Sequence, residues 1–161
     1  METSKINAAI VTISDTRTLA NDISGDKLFD LLTKFSVEIA DRRVITDELV
    51  DIQQTLLSLA ARDDINLILT TGGTGFAPRD NTPEATRSIL EREAPGIAEA
   101  MRRETAAKTP TAILSRAIAG IRGNTLIINL PGSPKGVEEC FEVLKPVLRH
   151  AIAQVCGDTR H

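Results

Sequence analysis

Aromatic side chains are nearly absent: the chain has four Phe and neither Trp nor Tyr. That argues against aromatic platforms on which single-stranded nucleic acids or flat cofactors stack. A planar ligand would have to lie on peptide planes, aliphatic side chains, Pro, Arg or one of the Phe rings. Histidine is almost as scarce, with only His150 and His161, both near the C-terminus. A His-rich metal centre and a Ser-His-Asp triad in the body of the chain are therefore excluded. His150 is expected on a helix surface and His161 at a frayed end. Cysteine is limited to Cys140 and Cys156. On one helix these would stand about 24 Å apart, too far to bridge, so both are expected as free thiols in a reducing compartment. No apolar run approaches the roughly 18 to 20 residues that span a bilayer, and residues 1–7 are polar without a signal core. The expectation is a soluble cytoplasmic protein with no membrane partner. An excess of positive charge is also missing: 19 Lys and Arg stand against 22 Asp and Glu, a net charge of −3. No nucleic-acid footprint is present, although a local basic pocket is compatible with an acidic whole. Asp, Glu, Arg, Lys, Ser, Thr and backbone groups are left to carry any chemistry.

What is present is an ordinary globular composition, 42% hydrophobic and 25% charged over 161 residues. Such a chain buries roughly 70% of its unfolded surface and needs no staple. One domain is expected over residues 1–161, with its core at about 5–155. Residues 8–13 (AAIVTI) form a short β-branched run, a buried strand by pattern, and residues 37–46 and 66–70 read as two more. Between them, residues 25–35 and 48–62 carry Leu, Ile and Phe at helical spacing. Thr82 is expected to cap a further helix, with Pro83 at its first position. Residues 96–107 read as another helix. Residues 112–121 and 125–130 read as strands joined by Gly123 and Asn124, a link short enough to force an antiparallel hairpin. Ser133 and Pro134 open a last helix over about 135–155, which Pro146 is expected to kink or end early. Strands alternating with helices define an α/β class with a mainly parallel sheet covered by helices. In such sheets ligands bind beyond the carboxyl ends of strands, and every motif below falls at such an end.

Thr71, Gly72, Gly73, Thr74 and Gly75 follow the third strand. Three glycines in four positions let backbone N–H groups approach an anion. The run is neither a Walker A loop nor a GxGxxG fingerprint, and its plainer reading is a flexible turn. Asp80, in a stretch that Thr82 already caps, stands either as a partner of Arg79 or a cap of its own turn, or as a magnesium carboxylate beside a phosphate loop. Asp47, after the second strand, is either an N-cap or a second magnesium carboxylate facing Asp80. Pro131, Gly132, Ser133 and Lys135 build a helix N-terminus with a lysine in its first turn. There the macrodipole disfavours a cation unless a bound phosphate is shared. Ser14 and Asp15 line the same side of the sheet, as ligand contacts or as an Asp turn. Ser115 and Arg116 lie in the hairpin, where a lone Arg is more often a surface residue.

Taken together, TTGGTG at 70–75, RDNTPEAT at 79–86, AILSRAIAGI at 112–121 and NLPGSPKG at 129–136, with SDT at 14–16, resemble the MoaB/Mog molybdenum-cofactor biosynthesis proteins. The fold of that family recurs in the G domains of gephyrin and plant Cnx proteins. The resemblance covers roughly residues 5–150. It implies a three-layer α/β/α sandwich, a molybdopterin-binding domain that is commonly trimeric and sometimes hexameric. It implies Mg²⁺-dependent transfer of AMP from ATP to the terminal phosphate of molybdopterin, and it allows the molybdenum-insertion protein as a partner. By motif match, Asp47 and Asp80 stand at the family's two essential aspartates, and the 71–75 and 131–135 loops at its ligand-binding loops. The RDNTPEAT form is more similar to the adenylyltransferase branch than to its sister branch. A non-catalytic molybdopterin carrier or scaffold is the alternative. Neither the loop that takes pterin nor the loop that takes nucleotide is distinguished at this level.

Overall fold

The computed structural model describes residues 4–158; His161, expected at a frayed end, lies outside the described residues. Six strands form one mixed sheet: β1 (Asn7–Ile13), β2 (Glu38–Ile45), β3 (Leu67–Thr71), β4 (Arg92–Glu93), β5 (Ala119–Arg122) and β6 (Thr125–Leu130), in the order β2-β1-β3-β6-β5-β4. β2, β1, β3 and β6 are parallel, while β5 runs antiparallel to β6 and β4 antiparallel to β5. Five helices cover the sheet: α1 (Ile23–Lys34), α2 (Leu49–Ala60), α3 (Thr82–Ile89), α4 (Pro95–Ala106) and α5 (Pro134–Val155).

The strands are apolar on both faces because both faces are covered. Successive side chains alternate between two cores. Ala8, Ile10, Leu67, Leu69, Leu126 and Ile128 meet α1, α4 and α5 through Leu28, Leu32, Met101, Phe141 and Leu148. Ala9, Val11, Ile13, Ile68 and Ile127 meet α2 and α3 through Ile52, Leu56, Leu59, Ala85 and Ile89. The result is the expected three layers. Phe35 and Phe141 pack edge to face at 5.8 Å in the first core. Cys140 is buried and Cys156 exposed, both as free thiols, and His150 is exposed.

The hairpin at Gly123 and Asn124 forms as expected, with Arg122 opposite Thr125. Two expectations change. The strand expected over 112–121 is a strand only from Ala119. Residues Pro110–Leu114 make a short 3-10 helix, with Ile113 and Leu114 exposed. The backbone beyond is spent on side chains rather than on a ladder: Arg102 Nη1 donates to the carbonyls of Ser115 (3.2 Å) and Ala117 (2.8 Å). Asn81, not Thr82, stands at the N-cap position of α3 but makes no side-chain cap bond, and the Thr82 hydroxyl is used elsewhere. α5 has the expected extent, Pro134–Val155, with Pro146 inside it and no early end. Ser133 does cap α5, accepting the Gly136 N–H at 3.0 Å, with Pro134 next.

Candidate functional site

Parallel pairing brings the carboxyl ends of β1, β2, β3 and β6 to one edge, and the loops after them meet there. Order and direction therefore create a crevice where successive connections leave to opposite sides.

The centre of that edge is the turn after β3. Gly72 and Gly73 have φ of 100° and 69°, the left-handed region that glycine adopts without strain. A Cβ on Gly72 would stand 2.4 Å from the Ile13 carbonyl oxygen. The carbonyls of this turn are taken. Thr82 Oγ1 donates to Gly72 O (2.9 Å) and Thr82 N to Gly73 O (3.1 Å). Arg116 holds Thr74 O through its own backbone N–H (2.8 Å), Gly75 O through Nε (2.8 Å) and Asp80 O through Nη2 (2.7 Å). Its guanidinium also pairs with the Glu84 carboxylate, which that contact holds below the ordinary range. Arg116 is thus a half-buried bracket, not the surface residue expected of a lone Arg. Among the described residues, the N–H groups of Gly73, Thr74 and Gly75 have no hydrogen-bond acceptor.

Two cavities flank the turn. The first, about 480 Å³, is lined by Gly73, Thr74, Gly75, Asp80, Ser115, Pro131, Gly132, Ser133 and Lys135 from the expected set. The second, about 500 Å³, is lined by Ser14, Thr71, Gly72, Gly132 and Ser133, with Arg17 and Asp22. The backbones of Gly72 and Gly132 form the wall between them, where a Cβ on Gly132 would lie 3.4 Å from Gly72 Cα. Thr71 is buried, and its hydroxyl donates to Pro131 O at 2.7 Å, so its side chain joins two loops. Lys135 is exposed over 73% of its side chain, with Nζ 3.8 Å from Glu139 Oε1.

The carboxylates sit at the same turn. A Cβ on Gly73 would be 3.4 Å from Asp47 Oδ1, and one on Gly75 would be 2.8 Å from Asp80 Oδ2. Asp47 does not cap α2, whose N-cap is Glu48. It exchanges hydrogen bonds with Asp15 instead: Asp15 N donates to Asp47 Oδ2 (2.9 Å) and Asp47 N to Asp15 Oδ1 (3.1 Å). Burial, then the charge of Asp15 and, more weakly, that of Asp80 push the Asp47 carboxyl above its usual value. Asp80 is not the partner of Arg79. Its Oδ2 accepts the Ala77 N–H at 2.9 Å, closing the turn. Arg79 instead grips Asp15 through Nε (2.7 Å) and Nη2 (3.1 Å) and Glu48 through Nη1 (3.0 Å). This contact holds the Asp15 carboxyl below its usual value.

No group of three or more His, Cys, Asp or Glu side chains among the described residues makes a ready-made metal site. The arrangement fits a cation that uses one or two carboxylates and completes its shell with substrate phosphates, as Mg²⁺ does. Burial raises the Asp47 carboxyl most, the charges of Asp15 and Asp80 add to this, and Arg79 opposes it. Sequence reasoning missed Arg79 as the link among three loops, and it missed Arg102, Thr109 and Glu139 in the first cavity. Glu139 carried one usable signal, its position four residues after Lys135 on the same helical face.

Residues 9–150 match the family model described as a probable molybdopterin binding domain. The molybdenum cofactor synthesis protein cinnamon of Drosophila melanogaster is 44% identical over 156 residues, which is 95% of this chain and 26% of that protein. The molybdopterin adenylyltransferase of Helicobacter pylori strain J99 is 36% identical over 157 residues, covering 95% of this chain and 89% of that one. Among solved structures, the molybdopterin biosynthesis enzyme MoaB of Thermus thermophilus superposes with a TM-score of 0.87 at 46% identity, covering 94% of this chain and 97% of that chain. The chain spans about a quarter of the fly protein it matches and nearly all of the bacterial ones named here. The motifs at the sheet edge, the layered fold around them and these likenesses converge: the chain belongs to the molybdopterin-binding-domain family of molybdenum cofactor biosynthesis proteins.

Proposed function

We propose that the chain transfers the adenylyl group of ATP to the terminal phosphate of molybdopterin, releasing pyrophosphate. The observation that carries this reading is the turn after β3. Its carbonyls are tied back by Thr82 and Arg116, while the amides of Gly73, Thr74 and Gly75 have no acceptor among the described residues. Such a cradle receives an anion with little reorganisation. The nucleophile is a phosphate oxygen, already anionic near neutral pH, so no strong base is required and the scarcity of histidine is no obstacle. This oxygen forms the new bond to the α-phosphorus as the bond from that phosphorus to the bridging oxygen breaks, and pyrophosphate leaves with the electron pair.

The main barrier is the meeting of two polyanions. The 73–75 amides, the N-terminus of α5 capped by Ser133, and Lys135 hold phosphate oxygens on one side. Asp47 and Asp80 would hold Mg²⁺ with those phosphates as further ligands, and bound there it neutralises charge on the α-phosphate and the leaving group. Asp15 and Arg79 fix the position of Asp47. The two cavities sharing the Gly72 and Gly132 wall offer one subsite for each substrate. Ser14, Thr71 and Gly72 belong to one side and Ser115 and Lys135 to the other.

The same reading takes residues 1–161 as a single molybdopterin-binding domain of the cytoplasm. It works as a homo-oligomer, a trimer or a pair of trimers, and the molybdenum-insertion protein receives its product. The apolar groove between α4 and α5, with Val147 exposed, offers surface for self-association, and sedimentation gives the number. Among the described residues no helix is long and apolar enough to cross a membrane. A carrier without catalysis is the second reading. In its favour, Asp47 and Asp80 each already accept a backbone N–H.

The test mixes protein, molybdopterin, ATP and Mg²⁺ and follows pyrophosphate and adenylylated pterin together. Both products should appear with the wild type and fall by at least about a hundredfold in Asp80→Ala, with molybdopterin binding retained. Tight pterin binding with neither product identifies a carrier.

A further inference from the structure

The first cavity has two chemically different ends. One is the anion cradle of the 73–75 turn and the start of α5. The other is Glu139, one and a half turns along α5, whose side chain is only 11% exposed. From Ser133 to Glu139 the helix rises about 9 Å, a length that a fused ring with a phosphate-bearing arm covers.

Glu139 is under-used where it stands. Two carboxylate oxygens offer about four acceptor sites. Among the described residues only one is engaged by a hydrogen bond, from the Thr109 hydroxyl at 3.3 Å, and Lys135 Nζ at 3.8 Å is an ion-pair neighbour beyond hydrogen-bond range. The other cation of the cavity, Arg102, is committed to the carbonyls of Ser115 and Ala117. Ala98, Met101 and Leu114 add apolar surface to the lining of the same cavity. A nearly buried carboxylate with spare acceptors is costly unless a ligand supplies donors.

We propose that Glu139 is the specificity residue of this cavity, accepting the paired donors of a 2-amino-4-oxo ring edge, the ring amide N–H and the exocyclic amine of the pterin. This rests on the reading of the chain as a molybdopterin protein and goes further, because it assigns the pterin to the first cavity and leaves the second to the nucleotide. Adenine cannot substitute at Glu139: its corresponding edge sets an acceptor nitrogen beside its amine and would turn a lone pair toward the carboxylate. The flat ring lies against Met101 and Leu114, consistent with a chain that has almost no aromatic side chains to stack on it.

The test is a binding measurement that needs no turnover. The intrinsic fluorescence of 6-hydroxymethylpterin and of its 2-oxo analogue, 6-hydroxymethyllumazine, is read without Trp or Tyr background. The wild type should bind the pterin about 10- to 100-fold more tightly than the lumazine, the difference expected when an acceptor replaces a donor at a carboxylate. Glu139→Gln, whose amide presents a donor of its own, should bring the two within about threefold, with the affinity for ATP unchanged. Guanosine carries the same edge on a sugar and should compete more weakly than the pterin. A wild type that does not distinguish pterin from lumazine overturns the proposal without any variant, so it stays testable even if Glu139→Gln folds poorly. A folded Glu139→Gln that keeps the full preference overturns it as well, and stronger competition by guanosine overturns the assignment to pterin. Pterin discrimination without pyrophosphate release leaves this proposal standing and removes only the transferase reading. Turnover without discrimination does the reverse.

Discussion

Replacing Asn129 by Leu tests how the sheet holds its site in place. Asn129 is fully buried in β6. Its Oδ1 accepts the Ile118 N–H at 3.2 Å, and its Nδ2 donates to the hydroxyls of Thr70 and Thr86, each at 3.0 Å. One amide thus ties together β6, β3, α3 and the chain entering β5. Leu has nearly the same shape and none of these bonds. The Ile118 N–H, left unpaired and buried, costs about 1 to 3 kcal/mol, and each hydroxyl that loses a donor costs about 0.5 to 1.5 kcal/mol. Burial of the leucine offsets part, leaving roughly 2 to 5 kcal/mol against a total stability of about 5 to 15 kcal/mol. For a chain of this size that lowers the melting temperature by roughly 5 to 20 °C. Thermal melting and urea denaturation at fixed protomer concentration read the effect. A second arm makes the argument strict: adding Thr70→Val and Thr86→Val removes the stranded hydroxyls, so the triple variant should be more stable than the sum of the three single losses. A loss below about 0.5 kcal/mol for Asn129→Leu, or strict additivity in the triple variant, would refute the reasoning.

Other outcomes follow from the same contacts. Glu84, held below its ordinary carboxyl value of 4.5 by Arg116, contributes stability that is present above pH 4.5 and lost as pH falls through its lower folded value. The melting temperature of the wild type should exceed that of Glu84→Gln near neutral pH, with the gap closing below pH 4.5; a gap independent of pH would refute the pairing. Gly72→Ala places a methyl group 2.4 Å from the Ile13 carbonyl oxygen at a φ of 100°. It should cost about 2 kcal/mol or more and weaken binding of inorganic pyrophosphate. An alanine variant with wild-type melting and binding would show that the turn is soft.

The apolar runs at 8–13 and 66–70 determined their own fate, since a short β-branched run between polar loops has few ways to be buried except as an inner strand. Gly123 and Asn124 determined an antiparallel hairpin because nothing longer separates the strands, and Ser133 with Pro134 determined a helix start because cap and fixed φ act over four residues. The motifs carried the family and their place at strand ends. What the sequence could not decide were contacts between segments far apart along the chain. Residues 112–118 are apolar enough for a strand, yet Arg102 and Thr74 claim their backbone groups, so they stay outside the ladder. Arg79 is next to Asp80 in sequence and pairs with Asp15 and Glu48 instead, because the parallel order β2-β1-β3 sets those loops side by side. Asp47 is locally a credible cap, and only the neighbouring loop turns it toward Asp15. Local propensity reaches about one turn of backbone. The position of a carboxylate relative to another loop depends on strand order and burial, which the whole chain decides together.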